Sequence, residues 1–154
     1  MSSVSEVTGT TSAARPGRTM ARLARHVERA LAEVELSPAQ YRVLIFLSEV
    51  DSAMASALAS RLDVSRPSVT TLVDGLVTRG YVERRPACDD RRRVEHRLTA
   101  PGQDALEHAD HAVEARLGQL AARLEDRDRR AAYTGLKAWR TALTKAREAL
   151  LAQP

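Results

Sequence analysis

Ser65-Arg66-Pro67-Ser68-Val69-Thr70-Thr71-Leu72-Val73-Asp74-Gly75-Leu76-Val77-Thr78-Arg79-Gly80 decides how the rest of the chain is read. Ser65 is suited to cap a helix, because its hydroxyl accepts from an otherwise unpaired first-turn N–H. Pro67 follows in that first turn, where a missing N–H costs nothing. Val69, Leu72, Val73 and Leu76 recur at helical spacing and define one apolar face. Gly80 stops the helix as a residue free to take a left-handed backbone. The opposite face carries Arg66, Ser68, Thr70, Thr71 and Asp74. Its small hydrogen-bonding groups would let the helix approach the floor of a DNA major groove.

Working outward, Ala55, Leu58, Ala59 and Leu62 predict a short amphipathic helix just upstream. Asp63-Val64 is the turn between the two helices, with Val64 plugging the space between them. Downstream, Tyr81-Val82-Glu83-Arg84-Arg85 and Val94-Glu95-His96-Arg97-Leu98 have strand length, with Val94, His96 and Leu98 on one face. The segment joining them, Pro86-Ala87-Cys88-Asp89-Asp90-Arg91-Arg92-Arg93, is too polar to be buried. A helix–turn–helix followed by such a hairpin is a winged helix.

The flanks read as helices. Ser37-Pro38-Ala39-Gln40 supplies a cap, a proline at the first helical position and a glutamine able to close a capping box. Tyr41, Leu44, Ile45, Phe46 and Leu47 make that helix apolar almost all round, as the centre of a lobe requires. Before it, Met20, Leu23, Ala24, Val27, Leu31 and Val34 form one stripe. After the hairpin, Thr99 caps a long helix with Leu106, Ala109, Val113, Leu117, Leu120 and Leu124 spaced as an interhelical seam. Asp126 reads as a fresh cap, and Leu136, Trp139, Leu143, Ala146 and Leu150 form a last stripe.

These terminal helices carry more apolar stripe than one small lobe can cover, and a second copy resolves the excess. The expected fold is mainly α: a winged helix-turn-helix lobe with a two-stranded wing, plus N- and C-terminal helices forming a dimerisation domain. Residues 1–15 read as a disordered tail rich in Ser, Thr, Gly and Ala. Residues 16–36 form the N-terminal dimerisation helix, 37–99 the DNA-binding domain and 100–154 the C-terminal dimerisation helices.

Charge follows the same map. The chain's net charge is +4, and +3 of it falls between Arg61 and Arg97, where nine arginines face six carboxylates. Such a mixture is ordinarily a solvated surface. Arg91, Arg92 and Arg93 clustered on an exposed hairpin tip point instead toward phosphate or groove contact. No apolar run reaches the 18 residues of a membrane span. The N-terminus lacks the apolar core of a secretory signal, and one cysteine cannot form an internal disulfide, so a cytoplasmic setting is expected.

Three runs resemble the MarR family of bacterial transcription regulators: Leu76-Val77-Thr78-Arg79-Gly80-Tyr81-Val82-Glu83-Arg84, then Asp89-Asp90-Arg91-Arg92, then Leu98-Thr99-Ala100-Pro101-Gly102. So does Leu36-Ser37-Pro38-Ala39-Gln40-Tyr41. The resemblance covers roughly residues 18 to 150. It implies an obligate homodimer, a winged helix in each lobe, and a small-molecule or redox input. Gly75 departs from the pattern, since relatives commonly carry a larger polar or basic residue there.

The expected DNA-contacting set is Ser65, Arg66, Ser68, Thr70, Thr71, Arg84, Asp90, Arg91, Arg92 and Arg93. Single hydroxyls discriminate bases poorly, which makes Arg66 the candidate for a guanine edge. The other reading of the helix face is a cap followed by plain surface. By the resemblance, Arg92 enters the minor groove and Asp90 orients an arginine by a salt bridge. Arg91 and Arg93 read as phosphate contacts. The resemblance also implies a small aromatic or lipophilic effector between the dimer helices and the DNA lobe. The polar candidates there are Arg25, His26, Tyr41 and His111, each of which also reads as an ordinary satisfied or exposed side chain.

No Gly-rich phosphate loop, nucleophile elbow or paired carboxylates in a plausible cleft are present, so the sequence points to no enzyme and no cofactor. His108 and His111 lie one turn apart, but surface histidines explain them and no metal site is assigned. Two further readings use the same residues. One is a winged helix that binds protein. The other is a redox sensor at Cys88, although peroxide-sensing relatives carry their reactive cysteine near the N-terminus, where this chain has none.

Overall fold

The computed structural model describes residues 15–87 and 92–151. Residues 1–14 of the expected tail and the loop residues Cys88, Asp89, Asp90 and Arg91 lie outside the described residues. Along the rest run α1 (Pro16–Glu33), α2 (Pro38–Glu49), β1 (Ala53–Met54), α3 (Ala55–Leu62), α4 (Arg66–Thr78), β2 (Val82–Pro86), β3 (Val94–Leu98), α5 (Ala100–Ala121) and α6 (Asp126–Leu151). The chain divides into two compact units, the first ending at Val113 and the second beginning at Glu114.

Local chemistry sets the boundaries in the first unit. At α2 the Ser37 hydroxyl accepts from Gln40 N at 3.1 Å, while Ser37 N donates to Gln40 Oε1 at 3.0 Å. The capping box is therefore closed. Asp63 turns the chain after α3 with a left-handed backbone, φ 53°. Val64 then packs against the core from the turn. Gly80 leaves α4 at φ +73°, a conformation glycine takes at no steric cost.

The core gathers one face from each element. Leu44, Leu58, Val69, Val73 and Leu76 are fully buried, and α2 lies at their centre with Val43, Phe46 and Leu47. Each such side chain contributes about 1.5–3 kcal/mol relative to exposure. Leu31 of α1 and Leu106 and Ala109 of α5 belong to the same cluster. The expected dimer seam on α5 thus begins inside the lobe's own core. Three-and-four spacing shows that a face is buried, not which neighbour buries it.

Three strands form the sheet, in the order β1-β3-β2, rather than the two expected. β2 pairs antiparallel with β3 from Val82↔Leu98 to Pro86↔Val94 and makes the hairpin. β1 adds Ala53↔His96 and Met54↔Glu95 on the other edge of β3. Two residues carry no period of their own, so this strand exists only through its partner. On the expected apolar face of β3, His96 is buried while Val94 is 47% exposed near the hairpin's open end.

In the second unit, Asp126 is the first residue of α6 instead of the residue capping it, and its carboxylate pairs with Arg129 one turn on. Leu124 lies past the end of α5 and is exposed. α6 leaves Tyr133, Leu136, Trp139 and Leu143 open, up to 67% exposure at Leu143. No described helix is long and apolar enough to cross a membrane.

Candidate nucleic-acid interface

α4 shows the two-faced character its sequence requires. Val69, Val73 and Leu76 are buried, while Arg66, Ser68, Thr70, Thr71 and Asp74 are all exposed on the other side. Ser65 caps the helix, accepting from Ser68 N at 3.3 Å, and its hydroxyl lies 2.8 Å from that of Ser68. Thr70 and Thr71 donate to the carbonyls of Arg66 and Pro67, one turn back, at 3.2 and 3.3 Å. Their hydroxyls therefore rest on the helix's own backbone. Arg66 is the long, charged member of this face.

Gly75 is half-buried, and a Cβ there would come 3.3 Å from Gln40 Nε2 of α2. The position that departs from the family pattern therefore faces α2, and the missing side chain would have met Gln40.

The hairpin rises next to this helix. Beyond the last strand pair, Ala87 N donates to Arg93 O at 2.8 Å, which prolongs the ladder toward the tip. Arg92 and Arg93 are exposed where the described chain resumes, and Arg93 donates to the sulfur of Met54 on β1 at 2.8 Å. Expected contacts Asp90 and Arg91 lie outside the described residues. Arg84, at the middle of β2, is engaged by Asp74 of α4 in an ion pair.

Other arginines of the lobe serve the fold. Arg97 pairs with Asp51, Arg85 with Glu83 at 2.8 Å, and Arg61 with Glu49 at 3.5 Å while lying over Phe46. Arg79, at the end of α4, donates to Glu35 O at 2.5 Å and to the Tyr81 hydroxyl at 3.1 Å, with its guanidinium over the Tyr81 ring. It ties the α1–α2 junction to the start of the wing. Sequence reasoning missed it because Glu35 lies 44 residues away in the chain.

His96 is the buried polar residue of the hairpin, and its Nδ1–H donates to Ala53 O at 3.1 Å. Burial is the main cause holding its pKa below the ordinary 6.5. Arg84, its cross-strand neighbour, adds to the lowering, while the Ala53 bond and Asp74 oppose it.

The four residues expected around an effector lie on α1, α2 and α5. Arg25 and His111 are exposed, and His26 is half-buried. Tyr41 is half-buried with its hydroxyl on Asp110 of α5, which fastens α2 to α5. A cavity of about 300 Å³ opens elsewhere in the first unit, lined by Leu47, Ser48, Asp51, Arg97, Thr99 and Gln103 among others. None of the four lines it. Among the described residues no group of three or more His, Cys, Asp or Glu is placed to share a metal ion.

A capped helix–turn–helix, an exposed polar helix face and a flanking hairpin define a winged helix-turn-helix protein. Residues 35–93 match the model of the MarR family. Over 94 residues, 61% of this chain, it is 33% identical to a putative transcriptional regulatory protein for the hcr operon of Thauera aromatica. That match spans 57% of the relative's length. Among solved structures, the transcriptional repressor CouR bound to a 23-mer DNA duplex is 28% identical with a TM-score of 0.66, covering 82% of this chain and 89% of that one. Wild-type MarR from E. coli in its apo form is 25% identical with a TM-score of 0.68, covering 79% and 94%.

Proposed function

We propose that the protein is a sequence-specific regulator of transcription that binds double-stranded DNA as a homodimer and represses by occupying a palindromic operator. The observation that carries this is α4: a helix held by three fully buried residues whose other face presents hydroxyls, Arg66 and an Asp74 already paired with Arg84. Ser65, Arg66, Ser68, Thr70 and Thr71 would enter the major groove, with Arg66 on a guanine edge. Arg92, with Asp90 to orient an arginine beside it, would take the minor groove, and Arg91 and Arg93 the phosphates. The likeness to a repressor solved on a DNA duplex supports this reading. A regulator of transcription would act on DNA in the cytoplasm.

The exposed stripe on α6 supports the homodimer. A second copy covering it would carry two recognition helices to successive major grooves, about 34 Å apart. An aromatic or lipophilic effector that altered that separation would release the DNA, because a dimer must match a fixed groove spacing. Arg25, His26, Tyr41 and His111 are the candidates for its polar contacts.

Selection of bound sites from random duplex DNA tests the proposal. The expected yield is a near-palindrome with half-sites one helical turn apart. Arg92→Ala should weaken binding to that site by roughly 1–3 kcal/mol and leave thermal stability nearly unchanged. A lone-subunit mass in solution, together with indifference to duplexes at low salt, would overturn it.

A further inference from the structure

Asp74 and Arg84 link the two DNA-facing elements directly. Asp74 lies on the exposed face of α4, one turn beyond Thr70 and Thr71, and Arg84 is the central residue of β2. Their side chains pair across ten residues of sequence while staying 53% and 41% exposed. We infer that Arg84 is a positioning residue: held by Asp74, its guanidinium braces the root of the wing against the recognition helix, so that major-groove and minor-groove contacts are made in register. This rests on the DNA-binding reading above.

Two features of the lobe lead there. The hairpin's base is already fixed to β1, since His96, directly opposite Arg84, donates to the Ala53 carbonyl. The freedom left to the wing is its tilt toward α4, across the short turn at Gly80, and the Asp74–Arg84 pair spans that tilt. The second feature is charge. An unpaired carboxylate on a face that meets phosphates would weaken binding, and Arg84 neutralises it where it stands. Arg84 thus serves recognition through Asp74, and sequence alone could not separate that role from a direct phosphate contact.

The two roles predict opposite signs for one substitution. Asp74→Asn deletes a negative charge from the DNA face. If Arg84 simply contacts phosphate, or the pair is idle, binding of the full-length protein to its selected duplex tightens or stays the same. If the pair braces the wing, binding weakens roughly two- to fivefold, the range of a solvent-exposed ion pair. Asp74→Glu, which keeps the carboxylate, should retain most of the affinity.

A second measurement reads the wing itself. The loss caused by Arg92→Ala should shrink in the Asp74→Asn background, because a loosened wing has already given up part of that contact. Amide exchange in β2 and β3 should also quicken while the thermal midpoint holds. Tighter or unchanged binding by Asp74→Asn, or an Arg92→Ala loss of equal size in both backgrounds, overturns the brace. Failure of the wild-type protein to bind any duplex is a separate outcome. It overturns the DNA-binding reading and takes the positioning role with it.

Discussion

α4 and α6 are both amphipathic helices, yet they dispose of their apolar sides in opposite ways. α4 buries Val69, Val73 and Leu76 completely and turns hydroxyls and an arginine outward. α6, twice as long at 26 residues, leaves Tyr133, Leu136, Trp139 and Leu143 between 45% and 67% exposed. The first helix is held by its own chain, so what it presents to a partner is settled within one copy. The second has an apolar stripe and nothing within its own unit that covers it. Helices gain most of their stability from packing such a face, so a surface outside the unit is needed to hold it.

Breaking each helix at its apolar side should therefore give different failures. Leu76→Ala opens a cavity under α4 in the fully buried core. It should cost about 2–5 kcal/mol, read as a drop in the chemical denaturation midpoint. Replacing Trp139 and Leu143 together with serine removes no contact from the core of the first unit. Light scattering should instead show the solution mass falling from a dimer to a single subunit. An unchanged dimer mass would mean that some other surface joins the copies.

Two glycines sharpen the contrast at a smaller scale. Gly102, in the first turn of α5, has no room for a side chain, because a Cβ there would lie 2.1 Å from the Tyr81 carbonyl oxygen. Thr99 secures the same corner, donating to Gly80 O at 2.6 Å and accepting from Gly102 N at 3.1 Å. Gly102→Ala should destabilise by about 1–3 kcal/mol, since backbone must move to admit the methyl. Gly135 of α6 meets nothing within 4 Å. Gly135→Ala should therefore stabilise by up to about 1 kcal/mol through helix propensity. A loss at Gly135 would show that a second copy approaches the helix closely there.

Much of the first unit was legible because its signals are local. Ser37, Ser65 and Gly80 announce helix ends by their own chemistry, and Val69, Val73 and Leu76 fall on one face by spacing alone. The rest depends on residues far apart in the chain. β1 forms only by pairing with β3, some forty residues on. The Tyr41 hydroxyl finds its partner Asp110 only when α5 packs against α2, 69 residues on. Arg84 reads as one more basic residue until the turn at Gly80 sets it against Asp74. For the same reason the α5 stripe reads as a partner seam by spacing alone, while Leu106 and Ala109 lie in the lobe's own core.

Acid should separate the two regions once more, with the smallest effect. His96 is buried at the centre of the sheet, and burial above all keeps its pKa below 6.5. In the unfolded chain the ring takes up its proton near the ordinary value, and in the folded chain only at lower pH. Between those two values the unfolded state binds more protons, so stability rises with pH across the window. The contribution is complete above 6.5 and is lost as pH falls through the folded value. Urea midpoints followed from about pH 7 to about pH 5 should decline, and His96→Phe should flatten that part of the curve. α6 contains no histidine, so acid in this range loosens the sheet and wing while leaving the charge of the exposed stripe's helix unchanged. An equal decline in the His96→Phe variant would move the cause to another group and leave the sheet's histidine a purely structural hydrogen-bond donor.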